Sequence, residues 1–99
     1  MPTTRTRLSH EEIAGMANLF KVLSEENRLR ILWYLRGGER CVCTIWQDLD
    51  LPQNLASYHL KTLAELGLIT SRKEGLRVYY SLNRENNRAV LGILSHILR

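Results

Sequence analysis

Cysteine and long apolar runs are scarce in this 99-residue chain, and both shortages exclude classes of protein. The only two cysteines, Cys41 and Cys43, stand two residues apart, which is too little for a secreted domain built on disulfides. No segment approaches the roughly 18 consecutive apolar residues of a membrane span. The first residues, MPTTRTRLSHEE, also lack the apolar stretch of a signal peptide. We therefore expect a cytoplasmic protein with reduced thiols and no membrane contact.

Sequence motifs of common enzymes are missing as well. The chain has no glycine-rich phosphate loop, no Gly-x-Ser-x-Gly, no His-Glu-x-x-His and no paired-carboxylate constellation. A catalytic cysteine needs a basic partner, and the three histidines are all distant from the cysteines in sequence. Redox enzymes more often carry Cys-x-x-Cys beside a βαβ unit, which is also missing. The sequence therefore predicts a protein that is not an enzyme.

Positive charge is in excess and is concentrated in one part of the chain. Lys and Arg number 14 against 10 Asp and Glu, which gives a net charge of +4. The segment from residue 53 to residue 84 contains five basic residues and two acidic ones. The basic residues are Lys61, Arg72, Lys73, Arg77 and Arg84, and the acidic residues are Glu65 and Glu74. A local positive charge of this kind favours an anionic partner.

Composition and periodicity predict a single domain that is mainly α-helical. Residues 1–8 show no hydrophobic periodicity, so we expect a flexible N-terminal arm followed by one domain over residues 9–99. Apolar residues at helical spacing, with Ser9 and Ser24 as caps, predict four helices at about residues 9–23, 24–36, 42–49 and 52–66. The period then changes to two, which predicts a β-hairpin of residues 68–73 and 77–82 that turns at Glu74-Gly75. A fifth helix follows Asn83.

The third and fourth predicted helices, joined by a tight turn, describe a helix-turn-helix with the hairpin as its wing. A polar face at helical spacing on the fourth helix suits the major groove of double-stranded DNA. We predict base contacts from this face and phosphate contacts from its end and the wing: Gln53, Asn54, Ser57 and Tyr58 for bases, and Lys61, Arg72, Lys73 and Arg77 for phosphates. An isolated polar face is more often only solvated, but face, wing and charge together favour DNA binding.

Three segments carry a family resemblance. LFKVLSEENRLRILWYL, ERCVC and LPQNLASYHLKTLAELGLITSRKEGLRVYYSLN closely resemble the ArsR/SmtB family of winged helix-turn-helix metalloregulatory repressors, over roughly Leu19 to Asn83. The resemblance implies a dimeric repressor that needs no cofactor to bind its operator and leaves it when an inducer binds. One departure is Pro52, which stands where these proteins often have a capping Ser.

The first and last predicted helices are the expected dimer interface. Their apolar stripes are more surface than a 99-residue monomer easily hides: Ile13, Met16, Ala17 and Phe20 on one helix, and Val90, Leu94 and Ile97 on the other. A two-fold homodimer would set two reading helices about 34 Å apart, which matches a pseudo-palindromic operator.

Cys41 and Cys43 are the candidate inducer site. Two free thiols suit a soft thiophilic ion, although a lone Cys-x-Cys is often only a pair of small buried side chains. The ERCVC stretch resembles the ELCVC segment of arsenite- and cadmium/lead-responsive family members. Residues two apart on a helix point about 200° apart, so we expect chelation to unwind the start of the third helix.

Trivalent arsenic or antimony is the leading inducer, because it accepts two or three thiolates. Some arsenite-responsive relatives have a third Cys where this chain has Trp46, so the resemblance implies a two-thiolate site. The alternatives are a soft divalent ion such as cadmium or lead, and oxidation of the thiols. Of the ligands used by zinc-responsive relatives only His96 remains, and we expect no zinc site there. His10 stays as an auxiliary ligand. A competing class is a soft-metal or redox carrier that does not touch DNA.

Overall fold

The computed structural model describes residues 9–85, so the predicted arm, the fifth helix and His96 lie outside the described range. Four helices and a three-stranded antiparallel sheet follow one another in the order α1 (His10–Leu23), α2 (Glu26–Leu35), β1 (Arg40–Cys41), α3 (Val42–Asp48), α4 (Gln53–Glu65), β2 (Ile69–Glu74) and β3 (Arg77–Leu82). The four predicted helices and the hairpin are confirmed. The strand β1 was not predicted.

The first two helices are capped by acidic and hydroxyl side chains. Ser9 and Glu12 form a reciprocal capping box at the start of α1, as Ser9 was predicted to do. The prediction that Ser24 caps α2 is wrong. Ser24 ends α1 and donates its hydroxyl hydrogen to the carbonyl of Lys21, while the carboxylate of Glu25 accepts from the backbone N–H of Arg28 and starts α2.

A tight turn joins α3 to α4 and fixes their relative direction. Asp50 has φ 55° at the position after the end of α3, and the Leu51 N–H donates to the carbonyl of Trp46 at 2.9 Å. This pairing closes the end of the helix and sends the chain away from its axis. A side chain of α2 holds the turn from outside, because the guanidinium of Arg30 donates to the carbonyl of Leu49 at 2.6 Å. Pro52 precedes the first residue of α4 and takes the N-cap position.

The sheet has the order β1-β3-β2, and all its pairings are antiparallel. The hairpin strands pair from Ile69 opposite Leu82 to Glu74 opposite Arg77, so the turn consists of Gly75, with φ 62°, and the fully exposed Leu76. The predicted turn is therefore shifted by one residue. On the other side of β3, Cys41 pairs with Tyr79 and joins the segment before α3 to the middle of this wing strand.

The core lies between α2, α3, α4 and the sheet. Its fully buried side chains are aliphatic, namely Ile31, Leu32, Leu35, Ile45, Leu60, Leu63 and Ile69. By contrast, Ile13, Met16 and Phe20 on α1 are exposed, which agrees with an apolar stripe that packs on something other than this core. Within residues 9–85 no helix is both long enough and apolar enough to cross a membrane.

Candidate nucleic-acid interface and cysteine pair

One face of α4 is polar and open to solvent. The five predicted contact residues of this helix are all exposed, namely Gln53, Asn54, Ser57, Tyr58 and Lys61. The opposite face is buried in the core through Ala56, His59, Leu60 and Leu63. The helix is therefore anchored along one side and presents hydrogen-bonding groups along the other, which is the arrangement that a major-groove reading helix requires.

The hairpin β2–β3 projects beside this helix and carries three exposed basic residues, Arg72, Lys73 and Arg77. Arg72 is engaged within the protein. Its guanidinium contacts the carboxylates of Glu39 and Glu74 at 2.8 and 2.9 Å and lies over the ring of Tyr79. The Glu39 and Glu74 carboxylates raise the pKa of Arg72, while the hydrogen bond from Arg72 lowers the pKa of Glu39. Locally paired charge contributes less to phosphate contacts than free charge does.

A histidine holds the buried side of α4 in place. Nδ1 of His59 accepts a hydrogen bond from Nε of Arg28 at 3.1 Å, and His59 is only 4% exposed. Burial lowers its pKa, the Glu25 carboxylate opposes this, and the Arg28 charge adds to the lowering. The same Arg28 contacts the carbonyl of Val22 at the end of α1. His59 therefore makes a structural hydrogen bond on the buried side of α4.

Cys41 and Cys43 are brought together at the start of α3, and their sulfurs are bonded to each other. Cys41 is the last residue of β1 and has extended backbone angles, φ −70° and ψ 142°, so it caps the helix from outside. Its Sγ accepts a hydrogen bond from the backbone N–H of Cys43 at 3.3 Å. The expectation that both sulfurs can meet only if α3 unwinds is therefore wrong. That expectation placed both cysteines within the helix. Cys41 instead occupies the cap position, where a residue is free to turn its side chain back over the first turn.

The two sulfurs differ in access to solvent. Cys41 is buried, whereas Cys43 is exposed. No group of three or more His, Cys, Asp and Glu within residues 9–85 is placed to hold a metal ion. Neither His10 nor any acidic residue in this range therefore completes a ligand set around the cysteines within one protomer.

Both cysteines line a cleft of about 510 Å³ between α3, α4 and the wing. Three predicted DNA-contact residues, Gln53, Ser57 and Arg77, line the same cleft. The other lining residues are mostly apolar: Val42, Trp46, Leu60, Leu76, Val78 and Tyr80. The candidate inducer site and the candidate DNA-reading face therefore share one space.

Sequence reasoning missed the cleft. It also missed two long-range contacts made by arginine side chains. The Arg72–Glu39 pair joins residues 33 positions apart, and the Arg28–His59 pair joins residues 31 positions apart. The only local signal was the i, i+3 spacing of Cys43 and Trp46, which places both on one face of α3.

The arrangement of α3, α4 and the β2–β3 wing defines a winged helix-turn-helix domain, as predicted. The solution NMR structure of the homodimeric winged helix-turn-helix DNA-binding domain of a possible ArsR-family regulator from Mycobacterium bovis superposes with a TM-score of 0.80 and 29% identity. The match covers 98% of this chain and 89% of the Mycobacterium bovis domain.

Residues 25–71 match the family described as bacterial regulatory protein, arsR family. The arsenical resistance operon repressor of Bacillus subtilis is 40% identical over 80 residues, which are 80% of this chain and 73% of that protein. A cadmium resistance regulator, the CadC homolog of Staphylococcus aureus, is 39% identical over 80 residues, and the match spans 66% of its length, just under two thirds. The chain belongs to the ArsR family of bacterial regulatory proteins. This family assignment agrees with the prediction of a protein that is not an enzyme.

Proposed function

We propose that this protein is a homodimeric transcriptional repressor that releases its operator DNA when a thiophilic inducer, foremost As(III) or Sb(III), binds Cys41 and Cys43. The observation that carries the proposal is the shared cleft, which is lined both by the cysteine pair and by Gln53, Ser57 and Arg77. An inducer bound at the sulfurs occupies space beside the groups that would touch DNA. Its binding and that of DNA are then coupled through direct proximity.

DNA recognition is divided between two kinds of contact in this proposal. Asn54, Ser57 and Tyr58, together with Gln53, supply uncharged hydrogen-bonding groups to base edges from the exposed face of α4. Lys61, Lys73 and Arg77 supply phosphate contacts, and Arg72 contributes less because two carboxylates already pair with it.

Dimer formation is supported by α1 and by the structural relative. Ile13, Met16 and Phe20 expose a stripe of apolar side chains on α1, and the Mycobacterium bovis domain of the same fold is described as homodimeric. We propose that α1, with the C-terminal residues beyond the described range, forms the dimer interface of a domain over residues 9–99. Sedimentation at micromolar concentration tests this, since a monomer there contradicts it.

The choice of inducer rests on sulfur chemistry. Two adjacent thiolates suit As(III), and the relatives named above are arsenical and cadmium resistance regulators. A closed zinc site takes four N, S or O ligands, and no third His, Cys, Asp or Glu joins the pair within residues 9–85. Cadmium or lead would need ligands from a second protomer.

The decisive experiment follows operator binding by the reduced protein while arsenite, antimonite, cadmium, lead, zinc or a peroxide is added singly. We expect arsenite and antimonite to weaken operator binding by about 5- to 150-fold. Cys41→Ser and Cys43→Ser should bind the operator normally and stay bound in arsenite. Release in either variant contradicts the inducer site. Operator affinity that does not fall steeply with salt contradicts DNA binding itself and favours a soft-metal or redox carrier.

Thiol oxidation is the second candidate signal, and the bonded sulfurs of Cys41 and Cys43 favour it. A pair that closes without disturbing α3 can switch between dithiol and disulfide forms when an oxidant is present. In the same experiment, release by peroxide that a reductant reverses, without release by any metal, supports oxidation over arsenite.

A further inference from the structure

We propose that the cleft beside the cysteine pair is a binding site for monosubstituted trivalent arsenicals that carry an aryl group, with arsenic bonded to Cys41 and Cys43 and the ring inside the cleft. The inference rests on the proposed function of the two cysteines as the inducer site. It adds the chemical class of the preferred inducer, which that function leaves open.

Trivalent arsenic forms more bonds than the cysteines of this chain can supply. Trivalent arsenic forms three bonds, the chain has two cysteines, and within residues 9–85 no third ligating residue joins them. Inorganic arsenite at this site keeps one hydroxide. An aryl arsenical, R–As(OH)₂, has two replaceable groups. Its two hydroxides leave as two water molecules with the protons of the two thiols, two As–S bonds form, and arsenic stays trivalent.

A cleft with mostly apolar walls lies next to the sulfurs. The cleft of about 510 Å³ falls within the range of roughly 300 to 1,000 Å³ that small-molecule sites occupy. Its apolar walls come from α3, α4 and the wing through Trp46, Leu60, Leu76, Val78 and Tyr80. An aromatic ring buried against these side chains gains hydrophobic free energy, whereas a hydroxide gains none.

A ring in the cleft would also interfere with DNA binding. Gln53, Ser57 and Arg77 line the same cleft as the cysteines, so a ring bound there would cover groups that the proposed repressor needs for DNA. A larger substituent covers more of them. The potency of an inducer should therefore rise with the apolar area of its substituent, from hydroxide through methyl to phenyl.

The test uses arsenite, methylarsenous acid and phenylarsenous acid with the reduced full chain in a phosphine reductant. Trp33→Phe leaves Trp46, which lines the cleft, as the single tryptophan, so its fluorescence reports binding directly. We expect phenylarsenous acid to bind at least about 10-fold more tightly than methylarsenous acid, because burial of a ring adds apolar contact. Operator release should follow the same order.

Two wall variants serve as controls, Leu76→Ser at the exposed tip of the wing and Val78→Thr, which keeps the size of the side chain. Both should reduce the phenyl advantage to about 3-fold or less, as expected for loss of apolar contact, and leave arsenite affinity unchanged. Equal affinities for the phenyl and methyl compounds overturn the inference, as does a phenyl advantage that survives in both variants. Failure of all three arsenicals to bind overturns the proposed inducer site as well, so the two failures are distinguishable.

Discussion

Both carboxylate oxygens of Glu39 accept hydrogen bonds from the guanidinium of Arg72, at 2.8 and 3.0 Å. Glu39 lies just before β1 and Arg72 lies in β2, so this pair ties the outer strand of the wing to the segment that leads into α3. The pair with Glu39 gives Arg72 a structural role. This role distinguishes Arg72 from the other basic residues of the wing.

Arg77→Ala should therefore weaken DNA binding more than Arg72→Ala does. Arg77 is exposed and lines the cleft, and its removal should reduce the salt slope of binding by about one unit for the lost phosphate contact. Arg72→Ala should change the slope by much less, because its charge is already paired. Titrations of a promoter fragment at several salt concentrations check this. Equal losses of slope would refute the distinction.

Ser57→Ala should relax the preference for operator over random DNA and leave the salt slope unchanged. Ser57 is exposed on α4 and carries no charge, so its loss removes a base contact, worth about 1 to 3 kcal/mol of discrimination when well formed. Competition between operator and random duplex measures the ratio. Lys61→Ala is the matched control on the same face. It should weaken binding to both duplexes alike.

The buried His59 should make stability depend on pH below neutrality. Burial chiefly lowers its pKa below the ordinary value of 6.5, so the folded protein keeps this ring neutral when the unfolded chain takes up a proton. The contribution of this neutral ring to the free energy of unfolding is fully present above pH 6.5. It is lost as the pH falls from there through the folded pKa, at no more than about 1.4 kcal/mol per pH unit. His59→Gln, whose amide oxygen can still accept from Arg28, removes this titration. Urea unfolding of both proteins between pH 5 and 8 gives the difference. A difference that does not change with pH would contradict the assignment.

Asp50→Gly should stabilise the fold. Asp50 has φ 55°, a conformation that costs most L-residues energy and costs glycine little. We expect the free energy of unfolding to rise by about 0.5 to 1 kcal/mol, because relief of the left-handed strain exceeds the entropy that glycine adds to the unfolded chain. Gly67, with φ 76° after α4, is the reverse control, and Gly67→Ala should lower stability by about 1 kcal/mol. Urea denaturation measures both. A loss of stability in Asp50→Gly would show that the aspartate side chain has a favourable role in this turn.

Arsenite should leave the helix content of the reduced protein unchanged. Cys41 lies outside α3 and both sulfurs already meet over the first turn, so a bridging arsenic needs no unwinding. Far-ultraviolet circular dichroism should therefore stay constant while the melting temperature rises, as it does for any ligand that binds only the folded state. Cys43→Ser should show no rise. A loss of helical signal on arsenite binding would restore the unwinding mechanism.

Local sequence rules predicted the helices, the hairpin and the exposed polar face, because each of these follows a short period or a cap. They failed where two residues compete for one role or where no period exists. Ser24 and Glu25 can both cap α2, and only the glutamate does so in the folded chain. The strand β1 has two residues, too few to show alternation. The contact between Arg28 and His59, and the cleft itself, depend on tertiary packing that no window of sequence contains.

The pairing of Cys41 with Tyr79 also determines how this protein can be recombined with its relatives. A chimera that exchanges only the hairpin, residues 69–82, would break the ladder between β1 and β3 and place a foreign strand beside the segment that carries Cys41. The smallest module that keeps this ladder and the Glu39–Arg72 pair runs from Glu39 to Leu82 and contains the cysteine pair, α4 and the wing. In the proposed function, inducer binding and DNA recognition would therefore share one block of sequence, so exchanging the wing for a new operator preference would also require redesign of the proposed inducer site.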